Sequence, residues 1–132
     1  MKKFLFSFML IAGLLTLSGC GQKEDENALV ILNYGKYIEP DVIQQFEKET
    51  GITIKYEEYE SPEEMYTKYK AGSIKYDLIC TSDYMIQKLI HEGEVLEMDY
   101  DNIPLYKNID PTYVEFSKAF DPETKYTLCL LY

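Results

Sequence analysis

The chain has no tryptophan, one histidine, three cysteines and only 13 Lys plus Arg against 23 Asp plus Glu in 132 residues, a formal charge of −10. Each shortage removes a class of function. Nucleic-acid phosphates are bound by clustered cations, so so acidic a chain has no nucleic-acid partner. The same acidity suits a cationic ligand, and it also serves plain solubility. The lone histidine, His91, falls late in a helical pattern, where the helix dipole favours it, and no nucleophile or orienting partner accompanies it. Cys80 and Cys129 fit no metal-site or disulfide-framework spacing, and Cys80 sits in an apolar run as a small buried hydrophobe would. Phosphate loops, zinc motifs and nucleophile elbows are missing too. Glu57, Glu58, Glu60, Glu63 and Glu64 form an acidic cluster, but their spacing matches no calcium loop and reads as a solvated loop leading into a helix N-terminus. The expectation is a protein that is not an enzyme and carries no cofactor or metal.

Long apolar runs are scarce as well. The one from Phe4 to Leu17 is shorter than the roughly 20 residues that span a bilayer. It follows Lys2 and Lys3 and ends in small residues before Cys20, the three-part pattern of a secretory signal. Leu17-Ser18-Gly19-Cys20 resembles a bacterial lipobox. That resemblance implies a signal peptide over 1–19, removed in the mature protein, and a diacylglycerol joined to the Cys20 sulfur. The protein would then be extracytoplasmic and anchored to the membrane by lipid, in a periplasm or on the outer face of the cytoplasmic membrane. Losing the leader removes Lys2 and Lys3 and no acid, so the charge of −10 becomes −12. Residues 20–27 are polar with no apolar periodicity and read as a lipidated N-terminus and flexible tether. Residues 28–132 remain for one small core.

From Leu29 to Gly93 the pattern alternates strand and helix three times. Leu29-Val30-Ile31-Leu32 is a continuous apolar run, as in a strand buried on both faces. Pro40 suits a first helical turn, Val42, Ile43 and Phe46 make one stripe, and Gly51 ends that helix. Ile52 to Tyr56 alternates as a second strand. Ser61-Pro62-Glu63-Glu64 fits a capping box in which Ser61 and Glu64 exchange bonds, opening a helix to about Lys70. Asp77 to Thr81 is a third strand, and Ser82 or Asp83 caps a helix carrying Ile86, Leu89 and Ile90. Val95-Leu96 reads as a further short strand, and residues 99–122 as loop with a short helix near Pro111 to Phe116. Strands alternating with crossover helices imply an α/β fold with a mainly parallel sheet flanked by helices.

Ligands of open parallel sheets bind at the carboxyl ends of the strands. Two loops reach that rim, Asn33-Tyr34-Gly35-Lys36-Tyr37 and Thr81-Ser82-Asp83-Tyr84, both mixing aromatic rings with polar groups. Tyrosine faces attract ammonium groups, although a tyrosine can equally be an ordinary packing residue. The candidate ligand-binding set is Tyr34, Gly35, Lys36, Tyr37, Ser82, Asp83 and Tyr84.

The runs Asn33 to Ile38, Phe46 to Ile52, Tyr59-Glu60-Ser61, Tyr76-Asp77-Leu78, Ser82 to Met85 and Phe120-Asp121-Pro122 together resemble the N-terminal part of polyamine (spermidine/putrescine) substrate-binding proteins of ABC transporters. The resemblance covers about Leu29 to Tyr126. It implies a partial lobe like that of type II periplasmic binding proteins, a polyamine or other small cationic solute as ligand, and an ABC permease as partner. It also implies that Tyr34 and Tyr37 are aromatic walls and that Ser82 and Tyr84 supply polar and aromatic contacts. Two positions depart from the family: Tyr34 stands where tryptophan is usual, and Lys36 where an acid is usual. Family members continue past this region into a second lobe, so 28–132 is expected to be an incomplete N-terminal lobe. Two other readings stay open, a short surface lipoprotein with an interaction role and a binding protein for another small solute.

The Cys20 thiol is the nucleophile that would receive the lipid. Cys20→Ala should therefore leave an unlipidated precursor. Equal incorporation of radiolabelled fatty acid by wild type and variant would contradict the anchor.

Overall fold

The computed structural model describes residues 27–129. The expected signal peptide, most of the tether and the last three residues lie outside that span. Within it the order is β1 (Ala28–Tyr34), α1 (Pro40–Thr50), β2 (Thr53–Tyr59), α2 (Pro62–Lys70), β3 (Leu78–Ile79), α3 (Asp83–His91), two 3-10 turns (Tyr100–Asn102 and Tyr106–Asn108) and α4 (Pro111–Ser117). Asn27, at the end of the expected tether, is already joined to the fold: its side-chain amide donates to the Gly51 carbonyl at 2.6 Å. The strands form one sheet in the order β2-β1-β3, with both pairings parallel.

Most of the local chemistry follows the sequence. Pro40 opens α1, and Gly51 closes it at φ 71°, a left-handed conformation that glycine adopts without steric cost, while its N–H bonds the Glu47 carbonyl at 2.8 Å. Ser61 Oγ accepts from the Glu64 amide at 3.2 Å and so caps α2. The return bond differs from expectation: Glu64 Oε2 accepts from the Glu60 amide at 2.9 Å, one residue before the cap. α3 departs further, since Ser82 occupies its N-cap without a side-chain bond, and Asp83 Oδ1 instead accepts from the adjacent Tyr84 amide at 2.7 Å.

Three strand expectations need correction. β2 runs on to Tyr59, carrying Glu57 and Glu58 out of the expected loop and into the sheet. β3 holds only Leu78 and Ile79. Val95-Leu96 forms no strand, and Leu96 is 90% exposed because nothing pairs with it there.

The core lies on one face. Leu32, Tyr59, Met65, Met85 and Leu89 are buried together, so α2 and α3 cover the side of the sheet to which Leu32 and Tyr59 point. On the opposite face α1 buries none of its residues, and with Leu29, Ile31, Ile54 and Leu78 it leaves an apolar hollow of about 230 Å³. β1 is therefore less deeply buried than the continuous run predicts: only Leu32 and Asn33, whose side chains point to opposite faces near its end, are fully buried.

After α3 the chain is tied back by Asp121, itself buried, whose carboxylate accepts from the Lys125 and Tyr126 amides and the Thr127 hydroxyl at 2.8 to 3.1 Å. Met98 N–H donates to the Lys125 carbonyl at 2.7 Å and Tyr100 OH to that of Thr127 at 2.8 Å, so the irregular segment after Gly93 is stitched at its two ends.

This asymmetry is testable by urea unfolding. Leu32→Ala, at a position with no exposure, should cost about 3 kcal/mol through lost burial and cavity formation. Val42→Ala, at a position 56% exposed, should cost less than about 1 kcal/mol. Equal losses at the two positions would place the core on the wrong face.

Candidate functional site

Parallel register decides what meets at the rim. Tyr34 is level with Tyr59 and Asn33 with Glu58 across β1 and β2, while Leu32 is level with Ile79 across β1 and β3. The carboxyl ends of all three strands therefore stand side by side, and the loops leaving them share one edge. Tyr59, with 1% exposure, forms the floor. Its hydroxyl donates a short bond to the Cys80 carbonyl, joining the end of β2 to the end of β3 beneath β1. Burial pushes the Tyr59 phenol well above the ordinary tyrosine range and raises the Cys80 thiol too, so both groups are neutral at pH 7.

On that floor lies an aromatic row. The Tyr34 ring centroid is 4.6 Å from that of Tyr59 and 5.9 Å from that of Tyr37, both tilted contacts. The loop between Tyr34 and Tyr37 is turned by Lys36 at φ 60°, a conformation unusual for a side chain larger than asparagine. Two bonds hold it to β2: Gly35 N–H to the Tyr59 carbonyl at 3.0 Å, and Lys36 N–H to Glu58 Oε1 at 3.3 Å. The Lys36 side chain is exposed, and its ammonium pairs with no carboxylate among the described residues.

The second loop contributes differently from expectation. Tyr84 is half exposed, and its hydroxyl donates to Glu63 Oε1 at 2.9 Å. The same bond raises the Tyr84 phenol, because a phenolate beside a carboxylate is disfavoured. Glu63 is lowered, first by its own backbone amide and then by Tyr84. Asp83 is occupied by the Tyr84 amide, at the start of its own helix. The hydroxyls of Thr81 and Ser82 are buried at this edge without a partner in hydrogen-bonding geometry.

The structure thus brings Tyr34, Gly35, Lys36 and Tyr37 together in one loop and places Ser82 and Tyr84 at the neighbouring strand end. Sequence reading left out of the site Tyr59, which it quoted only within the Tyr59-Glu60-Ser61 run, and the carboxylates of Glu58, Glu60 and Glu63, which it read as a solvated loop. The available signal was the pair Tyr56 and Tyr59, aromatic residues of strand type that extend β2 past its apparent end. An alanine Cβ at Gly35 would stand 3.6 Å from Glu60 Oε1 and 3.9 Å from Glu58 Oε2, so both carboxylates flank the first loop. Glu58, Glu60 and Glu63 enter no ion pair among the described residues. No group of three or more potential metal ligands occurs among the described residues.

An aromatic floor flanked by unpaired carboxylates, at the open end of a parallel sheet, has the chemistry of a receptor for a small cation. The chain belongs to the family described as hypothetical lipoprotein (MG045 family), whose model matches residues 1–119. It is 37% identical over 124 residues to the spermidine/putrescine-binding periplasmic protein of Escherichia coli, a match covering 91% of this chain and 34% of that one. Among solved structures it is similar to the spermidine/putrescine ABC transporter substrate-binding protein PotD from Streptococcus pneumoniae, with TM-score 0.71, 43% identity, and coverage of 77% of this chain and 31% of that one. The Tp0655 (TpPotD) lipoprotein of Treponema pallidum is similar at TM-score 0.69 and 25% identity, over 75% of this chain and 31% of that one. These likenesses confirm the α/β lobe of a periplasmic binding protein, and the chain spans about a third of the length of the curated relatives it matches.

The Tyr84 bond gives a direct check. In a pH titration followed by tyrosine NMR signals, Tyr84 should ionise above the ordinary value near 10, and Glu63→Gln should move it back down. A Tyr84 midpoint that does not respond to the substitution would remove the bond.

Proposed function

We propose that this chain is an extracytoplasmic solute-binding component of an ABC transporter, anchored through lipid on Cys20 and taking a polyamine such as spermidine or putrescine. The aromatic row Tyr37-Tyr34-Tyr59, bordered by carboxylates that no lysine neutralises, carries this reading. A polyamine presents ammonium groups separated by short methylene runs. Ring faces accept the ammonium charge and the methylenes alike, and carboxylates fix the ends. Neither step involves bond making, so the protein's work is capture and delivery to a membrane permease.

The names of the relatives support the ligand class and the transport system, and the family's description as a lipoprotein supports the anchor. We assign residues 1–19 to a signal peptide, 20–27 to the lipidated tether and 28–132 to an N-terminal lobe. Within the lobe we assign Tyr34, Gly35, Lys36, Tyr37, Ser82, Asp83 and Tyr84 to the ligand site, and Tyr59 as its floor.

The described residues supply one wall of the rim. Exposed cation–π contacts and ion pairs contribute about 1 kcal/mol or less each, whereas micromolar affinity needs about 8 kcal/mol. Calorimetry on a protein of residues 20–132 should therefore give a spermidine dissociation constant no tighter than about millimolar. Tyr37→Ala and Tyr84→Ala should each weaken it about fivefold, and Lys36→Glu should strengthen it by removing a like charge. Unchanged binding in both tyrosine variants would take the ligand away from these loops.

A further inference from the structure

We propose that Glu58 is a positioning residue for the aromatic loop: its carboxylate holds Lys36 in the left-handed turn that stacks Tyr37 against Tyr34. The inference rests on the polyamine reading for its consequence on affinity, although the loop geometry can be tested without any ligand.

The turn is the one place on the rim where the backbone adopts a conformation its residue disfavours. Lys36 has φ 60°, and an L-residue with a side chain there crowds its own carbonyl, a cost that glycine escapes. Such a turn persists only while the surroundings hold it. Two hydrogen bonds do so, and they differ in kind. The bond from Gly35 N–H to the Tyr59 carbonyl is backbone to backbone and fixes the residue before the turn. The bond from Lys36 N–H to Glu58 Oε1, at 3.3 Å, is the one made by the strained residue itself, and a side chain supplies it.

The sheet explains why Glu58 can do this. Register sets it level with Asn33, so its side chain leaves β2 on the same face as that of Asn33, beside the point where β1 gives way to the loop. Glu58 is exposed; the Lys68 ammonium donates to its backbone carbonyl, while its carboxylate enters no ion pair among the described residues and so serves the amide. Its second oxygen lies over Gly35, where an added Cβ would be 3.9 Å away. Without the carboxylate, Lys36 can relax to negative φ. One residue later that rotation carries Tyr37 away from the Tyr34 ring, now 5.9 Å distant, and dissolves the outer half of the row.

The experiment uses the full chain in detergent with three variants. Glu58→Gln keeps an acceptor oxygen and removes the charge; Glu58→Ala removes both; Glu58→Ala with Lys36→Gly removes the bond and the strain together. The first readout is NMR cross-relaxation between the Tyr34 and Tyr37 rings, recorded without ligand. The second is the shift of those ring signals on titration with millimolar spermidine. Glu58→Gln should keep the ring contact, Glu58→Ala should lose it, and the double variant should recover it, because glycine accepts a left-handed φ freely. Spermidine affinity should fall about threefold to tenfold in Glu58→Ala and return toward that of Glu58→Gln in the double variant. Thermal melts should stay close to wild type, since Glu58 is outside the core, which separates loop positioning from loss of the fold.

A Glu58→Ala protein with the wild-type ring contact would overturn the proposal. So would failure of Lys36→Gly to restore that contact. If wild type shows the ring contact and Glu58→Ala loses it, but spermidine moves no rim signal in any variant, the positioning role stands and the polyamine reading falls.

Discussion

The bond from Tyr59 to the Cys80 carbonyl is the constraint on which the rim depends. β3 holds only Leu78 and Ile79, too short to fix its own loop by ladder bonds alone. Cys80 N–H donates to the Leu32 carbonyl at 2.9 Å, and its carbonyl accepts from Tyr59, so one residue ties the third strand to both of the others. Tyr59 simultaneously fills the core beside Leu32, Met65, Met85 and Leu89 and offers a ring face to Tyr34. Buried tyrosine needs a partner for its hydroxyl, and here that requirement places two loops on one edge.

Charge is distributed unevenly around this frame. On the flank where α2 meets the end of α3, Lys70 pairs with Glu92 at 3.1 Å and also with Glu94, while Lys88 lies 3.7 Å from the Tyr66 ring centroid. Lys68 pairs with Glu64 at 3.3 Å. These exposed pairs add little stability individually, but they consume the cations of that flank. The carboxylates of Glu58, Glu60 and Glu63 enter no ion pair among the described residues, although Lys68 also donates to the Glu58 carbonyl. A net charge of −10 on its own says nothing about where a cation would bind; this partition does.

Much of the architecture was legible from local chemistry. Pro40 and Gly51 bracket α1, Ser61 starts α2, and three strand-helix alternations predict the parallel sheet that forms. The errors share a cause. The length of β2 depends on pairing with β1, and Glu57 and Glu58 are poor strand formers held there by register, so the sequence reads them as loop. The reach of β1 burial was overread because a continuous apolar run does not reveal whether both faces are covered; α1 leaves Leu29 and Ile31 beside an open hollow. At the site, Tyr34, Tyr37 and Tyr84 were legible from their positions at the ends of strands and just after them, whereas Tyr59 was not. The carboxylates were not, because their approach to Gly35 depends on the paired register of two strands that are separate in sequence.

The central claim is that a small polycation is received at the carboxyl ends of the strands. Amide NMR mapping of the full chain titrated with spermidine addresses it directly. Shifts confined to residues 34–37, 58–63 and 81–84 are the predicted result. Shifts spread evenly over the acidic surface, or gathered at the apolar hollow of Leu29, Phe46 and Leu78, would contradict it.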